Sequence, residues 1–293
     1  MSSSELSVKN TGTDLYIGTA GWSYEDWSGI VYPEESPGKF RGLRYLAEQL
    51  RFNTVELNNT FYRPPKPSYC EGWLRDVEGR PDFSFTAKLW RRFTHEREEK
   101  WTPGEVDTFR SGIAPLVEAD RLGALLVQFP WSFRFNGKSM QWLAHVVDAF
   151  RDLPLVVEVR STGWLQDRAI RFLRELGVGF CNIDQPRFRN NIPLTAHGFG
   201  GTGYMRLHGR NRKTWFSDDA GRDERYDYLY SEEELGEIGE AIRKAAEQVE
   251  RMYVIANNHY RGQAPANALQ LMGMLSGEEP RVPEPLSQYF EFE

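Results

Sequence analysis

Residues 155–184 read LVVEVRSTGWLQDRAIRFLRELGVGFCNID. Leu155–Arg160 is a short β-type run, residues 165–177 carry helical periodicity, and Gly177 after FLREL supplies a C-cap. Val178–Asp184 is again a β-type run. A strand, a helix and a second strand in so short a span suit parallel strands joined by a helical crossover. The same alternation extends in both directions. Strands are expected at Leu15–Ala20, Asn53–Asn58, Asp82–Lys88 and Ala124–Phe129 before this stretch, and at Gly203–His208 and Met252–Asn257 after it. Helical patterns occupy residues 39–51, 67–77, 103–121, 137–150, 231–251 and 265–276, and Ser231 with Glu234 forms a capping-box pattern. The sixth unit is the exception, because QPRFRNNIPLTAHGFGG (185–201) contains no convincing helix.

Eight alternations without linker-like composition predict an α/β chain forming a single (β/α)8 TIM-type barrel over residues 14–276, its sixth unit lacking a regular helix. A flexible tail is expected over 1–13, and a proline-rich, acidic strap or tail over 277–293. A doubly wound sheet is the alternative, but it would place a Gly-rich phosphate turn after the first strand. GTAGWS (18–23) lacks the G-x-G-x-x-G spacing.

Composition narrows the classes further. A chain of 293 residues, 40% hydrophobic and 27% charged, fits a globular protein with a sizeable core. A net charge of −6 opposes sequence-independent nucleic-acid binding while leaving room for a local basic pocket. Cys70 and Cys181 are far apart and outside any C-x-x-C pattern, which excludes a disulfide framework or thiolate zinc site and points to a reducing, cytoplasmic setting. No apolar run approaches the roughly 20 residues of a membrane span, and the polar start has no signal-peptide core.

Active sites of such barrels form at the C-terminal strand ends. Polarity concentrates there in this chain: Glu56 with Asn58, Thr86 with Lys88, Gln128, Glu158 with Arg160, Asn182 with Asp184, Arg206 with His208, and Asn257 with His259. A salt-bridge network that merely closes the barrel top would use the same residue types. Against it, burying so many ions is costly unless they are paired or ligated, and clustered perturbed groups mark functional sites. Seven of nine tryptophans (Trp22, Trp27, Trp90, Trp101, Trp131, Trp164 and Trp215) fall in or beside βα loops, interleaved with Arg63, Lys66, Arg91, Arg92, Arg210, Arg212, Lys213 and Arg261. Such a lining suits a flat or sugar-like ligand with an anionic group, or simply anchors long loops.

The motifs IGTAGWSYEDW, FNTVELNNTFYRPP, FSFTAK, LLVQFP, VVEVRSTGW, GYMRLHGR and NNHYRGQAPANA, in this order from about Leu15 to Leu275, resemble the YecE-like family, also called domain of unknown function 72. The resemblance implies a TIM-type barrel and assigns no reaction.

Acid–base chemistry on a phosphorylated, nucleotide-like or otherwise anionic small molecule is the leading expectation. Glu56, Glu158, Asp184 and His208 are the expected catalytic groups, with Lys88, Arg160, Arg206, Arg210, Trp22, Tyr62, Gln128 and Asn257 binding substrate. No cofactor is required by this scheme. A metal-assisted isomerase or phosphodiesterase is a second reading: Glu158, Asp184 and His208 resemble the ligand order of xylose-isomerase-like barrels, though Asn257 or His259 replaces the usual final glutamate. That site would favour manganese, magnesium or zinc. A non-catalytic nucleotide or nucleic-acid binding module would explain the loops but not the carboxylates. Glycoside hydrolysis by a carboxylate pair would explain the tryptophans but not the basic groups. G-x-S-x-G, P-loop and H-E-x-x-H motifs are absent, and His95, His145 and His197 receive no role.

Overall fold

Eight parallel strands pair in chain order and close on themselves: β1 (Asp14–Thr19), β2 (Thr54–Leu57), β3 (Ser84–Lys88), β4 (Leu122–Gln128), β5 (Leu155–Glu158), β6 (Gly179–Asp184), β7 (Thr202–Leu207) and β8 (Arg251–Ala256). The computed structural model describes residues 6–35, 38, 40–212 and 224–292; Lys213 and Trp215 lie outside them. Between and after the strands come α1 (Gly42–Glu48), α2 (Pro67–Asp76), α3 (Arg91–Thr94), α4 (Pro103–Glu118), α5 (Gly137–Ala149), α6 (Asp167–Glu175), α7 (Glu232–Ala246), α8 (Gln263–Ser276) and α9 (Glu284–Ser287). Residues 185–201 carry no helix, as expected. The α7 start obeys its sequence signal: the Ser231 hydroxyl accepts from the Glu234 amide, while the Glu234 carboxylate accepts from the Ser231 amide at 3.0 Å. Three glutamates in its first turn and Arg243 and Lys244 in its last complement the helix dipole.

Register decides which side chains enter the barrel. Ile183 pairs with Arg206 and Arg206 with Ile255, whereas Asp184 pairs with Leu207. Ala20, Ala124, Leu126, Val156, Cys181, Ile183, Tyr204, Tyr253 and Ile255 fill the interior, while Leu207 and Met205 pack outward in the larger core under the helices. The inner phase of β6 therefore runs through Cys181 and Ile183. This corrects the sequence expectation that Asn182 and Asp184 point with the other polar strand ends: polarity suggested one phase, but an apolar interior layer required Ile183 inside. Asn182 is satisfied outside, accepting from the Thr195 hydroxyl at 2.7 Å and the His197 amide at 2.8 Å.

One strand irregularity shapes the barrel floor. Phe85 pairs with Leu122 but Thr86 with Ala124, so Gly123 is an extra residue on β4. Its missing side chain leaves room for the Tyr253 hydroxyl, 3.0 Å from Ser84 Oγ.

The N-terminal segment also differs from expectation. Residues 6–13 are not a loose tail: Val8 is fully buried and the Lys9 amide donates to the Leu275 carbonyl at 2.9 Å. Leu6 and Val8 give this segment the apolar surface that docking needs. Residues 277–292 form a strap whose Leu286 is fully buried. Among the described residues no helix is long and apolar enough to cross a membrane.

Candidate active site at the strand ends

Arg206 occupies the centre of the upper barrel, 1% exposed, between two carboxylates that are fully buried. Its Nη2 lies 2.8 Å from Glu56 Oε1 and its Nη1 2.5 Å from Glu158 Oε2. Nη1 also donates to Gln128 Oε1 at 3.3 Å. The other Glu158 oxygen accepts from Arg160 Nε and Nη2 at 2.9 and 2.7 Å. The other Glu56 oxygen accepts from the Tyr204 hydroxyl at 3.0 Å, and that hydroxyl is 2.8 Å from Thr86 Oγ1. Lys88 Nζ completes the group at 3.5 Å from Glu56 Oε1. Each carboxylate thus has several donors, the condition under which buried ions are tolerated.

His208 faces the two guanidiniums. Its Nε2 lies 3.4 Å from Arg206 Nη1 and 3.5 Å from Arg160 Nη2, and the Asn257 side-chain amide is 2.9 Å from Nδ1. Guanidiniums only donate, so Nε2 must offer its lone pair and Nδ1 must carry the proton. The structure sets Asn257 Nδ2 against Nδ1, so this tautomer goes with the flipped Asn257 amide, whose oxygen then accepts from Nδ1; side-chain shape alone does not fix that orientation. Burial, followed by the Arg206 and Arg160 charges, holds the imidazole well below the usual histidine range, so it is neutral.

Burial would raise the Glu158 carboxyl, but Arg206 and Arg160 outweigh it and hold the group below the ordinary carboxylate range. An acid so firmly ionised cannot donate a proton near neutral pH. Lys88 moves in its own direction: burial first, then Arg206, brings its ammonium down to about 8, against the opposing pull of Glu56. With His208 neutral, three cations (Lys88, Arg160, Arg206) face two carboxylates (Glu56, Glu158), leaving one net positive charge. Exposure is graded from Arg206 through Lys88 at 14% to Arg160 at 21%, so the outer two cations meet solvent.

The structure therefore brings Glu56, Lys88, Gln128, Glu158, Arg160, Arg206, His208 and Asn257 together, and leaves out Asp184 and Arg210. Asp184 faces the helix layer, where Arg210 Nε and Nη2 reach it at 3.0 and 2.9 Å and the Tyr230 hydroxyl donates to it at 2.7 Å. Arg210 also pairs with Glu234 and Glu237 of α7. Gly209, with a φ of +84°, begins the turn that carries Arg210 outward. The expected trio Glu158, Asp184 and His208 is thereby split, and among the described residues no group of three His, Cys, Asp or Glu is arranged to hold a metal.

Trp22 sets its ring edge-on against Trp73 of α2, and Tyr62 is exposed on the rim with its ring edge-on to Phe61. Trp27 and Trp164 are fully buried, their indoles donating to the His259 and Phe133 carbonyls. Loop packing, rather than ligand contact, explains these two. Sequence reasoning gave no role to Tyr204, although its strand phase with Arg206 was readable. It also passed over Phe61, whose ring lies under Lys88 Nζ at 6.0 Å, and His95, whose ring meets Phe61 at 4.9 Å. Burial, then Arg91 and Arg160, brings His95 down to about 4. Its position depends on how two loops pack, for which periodicity gives no signal.

Comparison with known proteins agrees with this architecture. The family described as Protein of unknown function DUF72 matches residues 16–288. UPF0759 protein YunF of Bacillus subtilis (strain 168) is 26% identical over 285 residues, covering 91% of this chain and 98% of that protein. A DUF72 family protein of known structure from Thermotoga maritima MSB8 is 38% identical with a TM-score of 0.80, covering 89% of this chain and 98% of that one. A DUF72 family structure from Enterococcus faecalis V583, 24% identical with a TM-score of 0.76, covers 92% and 98% respectively and shares the fold.

Proposed function

This chain belongs to the DUF72 family of proteins of unknown function, and from that premise we propose that its strand ends form an acid–base active site for a small anionic substrate. The observation that carries this reading is the net positive charge of the cluster, presented by Lys88 and Arg160 in front of the buried Arg206. Lys88 and Arg160 bind the anion. Arg206 is the keystone that holds Glu56 and Glu158 as fixed counter-charges. His208, neutral and oriented by Asn257, is the proton carrier, with Nε2 as its basic atom. Asp184 and Arg210 anchor the loop after β7 to α7. The net charge of −6 favours a small molecule over a polyanion.

The test is thermal unfolding in sulfate against chloride at matched ionic strength. Sulfate is expected to stabilise the wild type by about 2.7 kcal/mol at a hundredfold excess over its dissociation constant. Arg160→Gln removes an outer cation while Arg206 still pairs Glu158, so the variant is expected to fold and to lose the sulfate effect. Equal shifts in sulfate and chloride would overturn the reading.

The pH dependence has a defined sign. Anion binding needs the Lys88 ammonium, so affinity is full below about pH 8 and falls as pH rises through it. Titration calorimetry with sulfate, whose charge is constant over this range, measures the change. An affinity that stays flat across that window would exclude Lys88 from anion binding.

A further inference from the structure

Lys88 has a poorer electrostatic position than either arginine beside it. Its one ion pair among the described residues is the 3.5 Å approach to Glu56 Oε1, an oxygen that Arg206 already holds at 2.8 Å. The second Glu56 oxygen is occupied by the Tyr204 hydroxyl. The Phe61 ring faces Nζ with its centroid 6.0 Å away, and the side chain keeps a 14% opening to solvent. A lysine walled by an aromatic ring, crowded by other cations and weakly paired is set up to shed its proton and act as an amine nucleophile. Burial does most to bring its ammonium down to about 8, Arg206 and Arg160 push the same way, and Glu56 and Glu158 pull against them.

We propose that Lys88 forms a covalent imine with a carbonyl compound that carries an anionic group, the aldehyde or ketone carbon meeting Nζ while Arg160 holds the anion. The step balances without an oxidant or reductant. The Lys88 ammonium gives one proton to solvent through its open side, and the freed electron pair attacks the carbonyl carbon as the C=O π bond opens onto oxygen. Nζ loses a further proton to that oxygen, solvent returns the first, and the oxygen leaves as water. Ammonium plus carbonyl thus gives protonated imine plus one water. The imine then withdraws electrons from the adjacent carbon, the demand that proton transfer at that carbon requires. This substrate class rests on the anion-site reading above and narrows it.

The experiment uses pyruvate as the probe and acetone as its uncharged counterpart. The whole chain is incubated with each in the presence of sodium cyanoborohydride, which reduces an imine to a stable secondary amine, and the product is mapped by peptide mass spectrometry. Pyruvate is expected to label Lys88 at least about tenfold above Lys66 and Lys100, the surface controls. Lys88→Arg keeps the charge and is expected to abolish the labelled peptide's adduct. Arg160→Gln is expected to lower pyruvate labelling about tenfold more than it lowers acetone labelling. Labelling of Lys88 in the wild type no richer than that of the controls overturns the imine, whatever the variants do. Melting the same mixtures before reduction separates the two readings. A retained pyruvate stabilisation without an adduct leaves the anion site standing and removes the imine. Efficient Lys88 labelling that is equal for pyruvate and acetone, and indifferent to Arg160→Gln, overturns the anionic part of the substrate.

Discussion

Arg206→Met is expected to lower the free energy of unfolding by about 3–5 kcal/mol, the usual loss when one member of a buried ionic group is removed. The size follows from what remains. Glu56 and Glu158 are both fully buried, and without the guanidinium they lose donors at 2.8 and 2.5 Å while Lys88 and Arg160 continue to pair one oxygen each. Methionine replaces much of the volume, so the loss reports charge rather than a cavity. Adding Glu56→Gln and Glu158→Gln to the same chain is expected to return most of the stability, because the triple variant has no orphaned carboxylates. Urea unfolding of the single, double and triple variants measures this directly. The pH dependence adds a second readout. In the wild type the folded Glu158 lies below its unfolded value, so its contribution is present above about pH 4.3 and is lost as pH falls. In Arg206→Met the Glu158 carboxyl loses the largest charge that holds it down, so the deficit should shrink as the solution is acidified. A deficit under about 1 kcal/mol at neutral pH would mean that the two carboxylates do not depend on Arg206.

The second large effect lies at the opposite end of the barrel. A Cβ on Gly123 would stand 1.8 Å from the Tyr253 hydroxyl, 2.3 Å from Ser84 Oγ and 2.4 Å from the Tyr253 ring. Tyr253 is fully buried and stacked on Tyr16 at 4.6 Å, so it has no free direction in which to retreat. Gly123→Ala is therefore expected to cost about 3 kcal/mol, the upper part of the range for overpacking a tight interior. Gly137, at the start of α5, is the control: an added Cβ there meets nothing within 4 Å. Gly137→Ala should be neutral or stabilising by up to about 1 kcal/mol through the unfolded state. Denaturant midpoints that move equally in the two variants would show that the floor of the barrel has slack.

The barrel was readable because its signal is repeated. Each strand–helix unit carries its own periodicity, and an error in one unit is outvoted by the others. The candidate site was less readable because a strand end offers two faces, and polarity does not say which one the register turns inward. On β7 the polar phase and the inner phase coincide, so Arg206 and His208 were found. On β6 they differ, and Asp184 was placed with residues it never meets. Arg210 was misplaced for a related reason. A guanidinium next to a glycine turn reads as an anion clamp, and only the position of α7 shows that Asp184, Glu234 and Glu237 already engage it. Phe61 and His95 were out of reach, since loop packing brings them to Lys88 and no period encodes it.

The seam between the first and last strands carries a kinetic consequence. β1 shares six register pairs with β8 but only two with β2, and the Thr13 hydroxyl reaches the Ala246 carbonyl at 2.8 Å across most of the chain's length. The earliest strand to emerge from a ribosome therefore waits for the latest before its ladder is complete. Contacts of such high sequence separation fold slowly, and strands left waiting are the ones that pair with the wrong neighbour. Synthesis speed and chaperone supply, more than equilibrium stability, should then govern how much of this barrel a cell recovers in native form. A chain released before Arg251 should accumulate as an aggregation-prone intermediate however well its first seven strands pair.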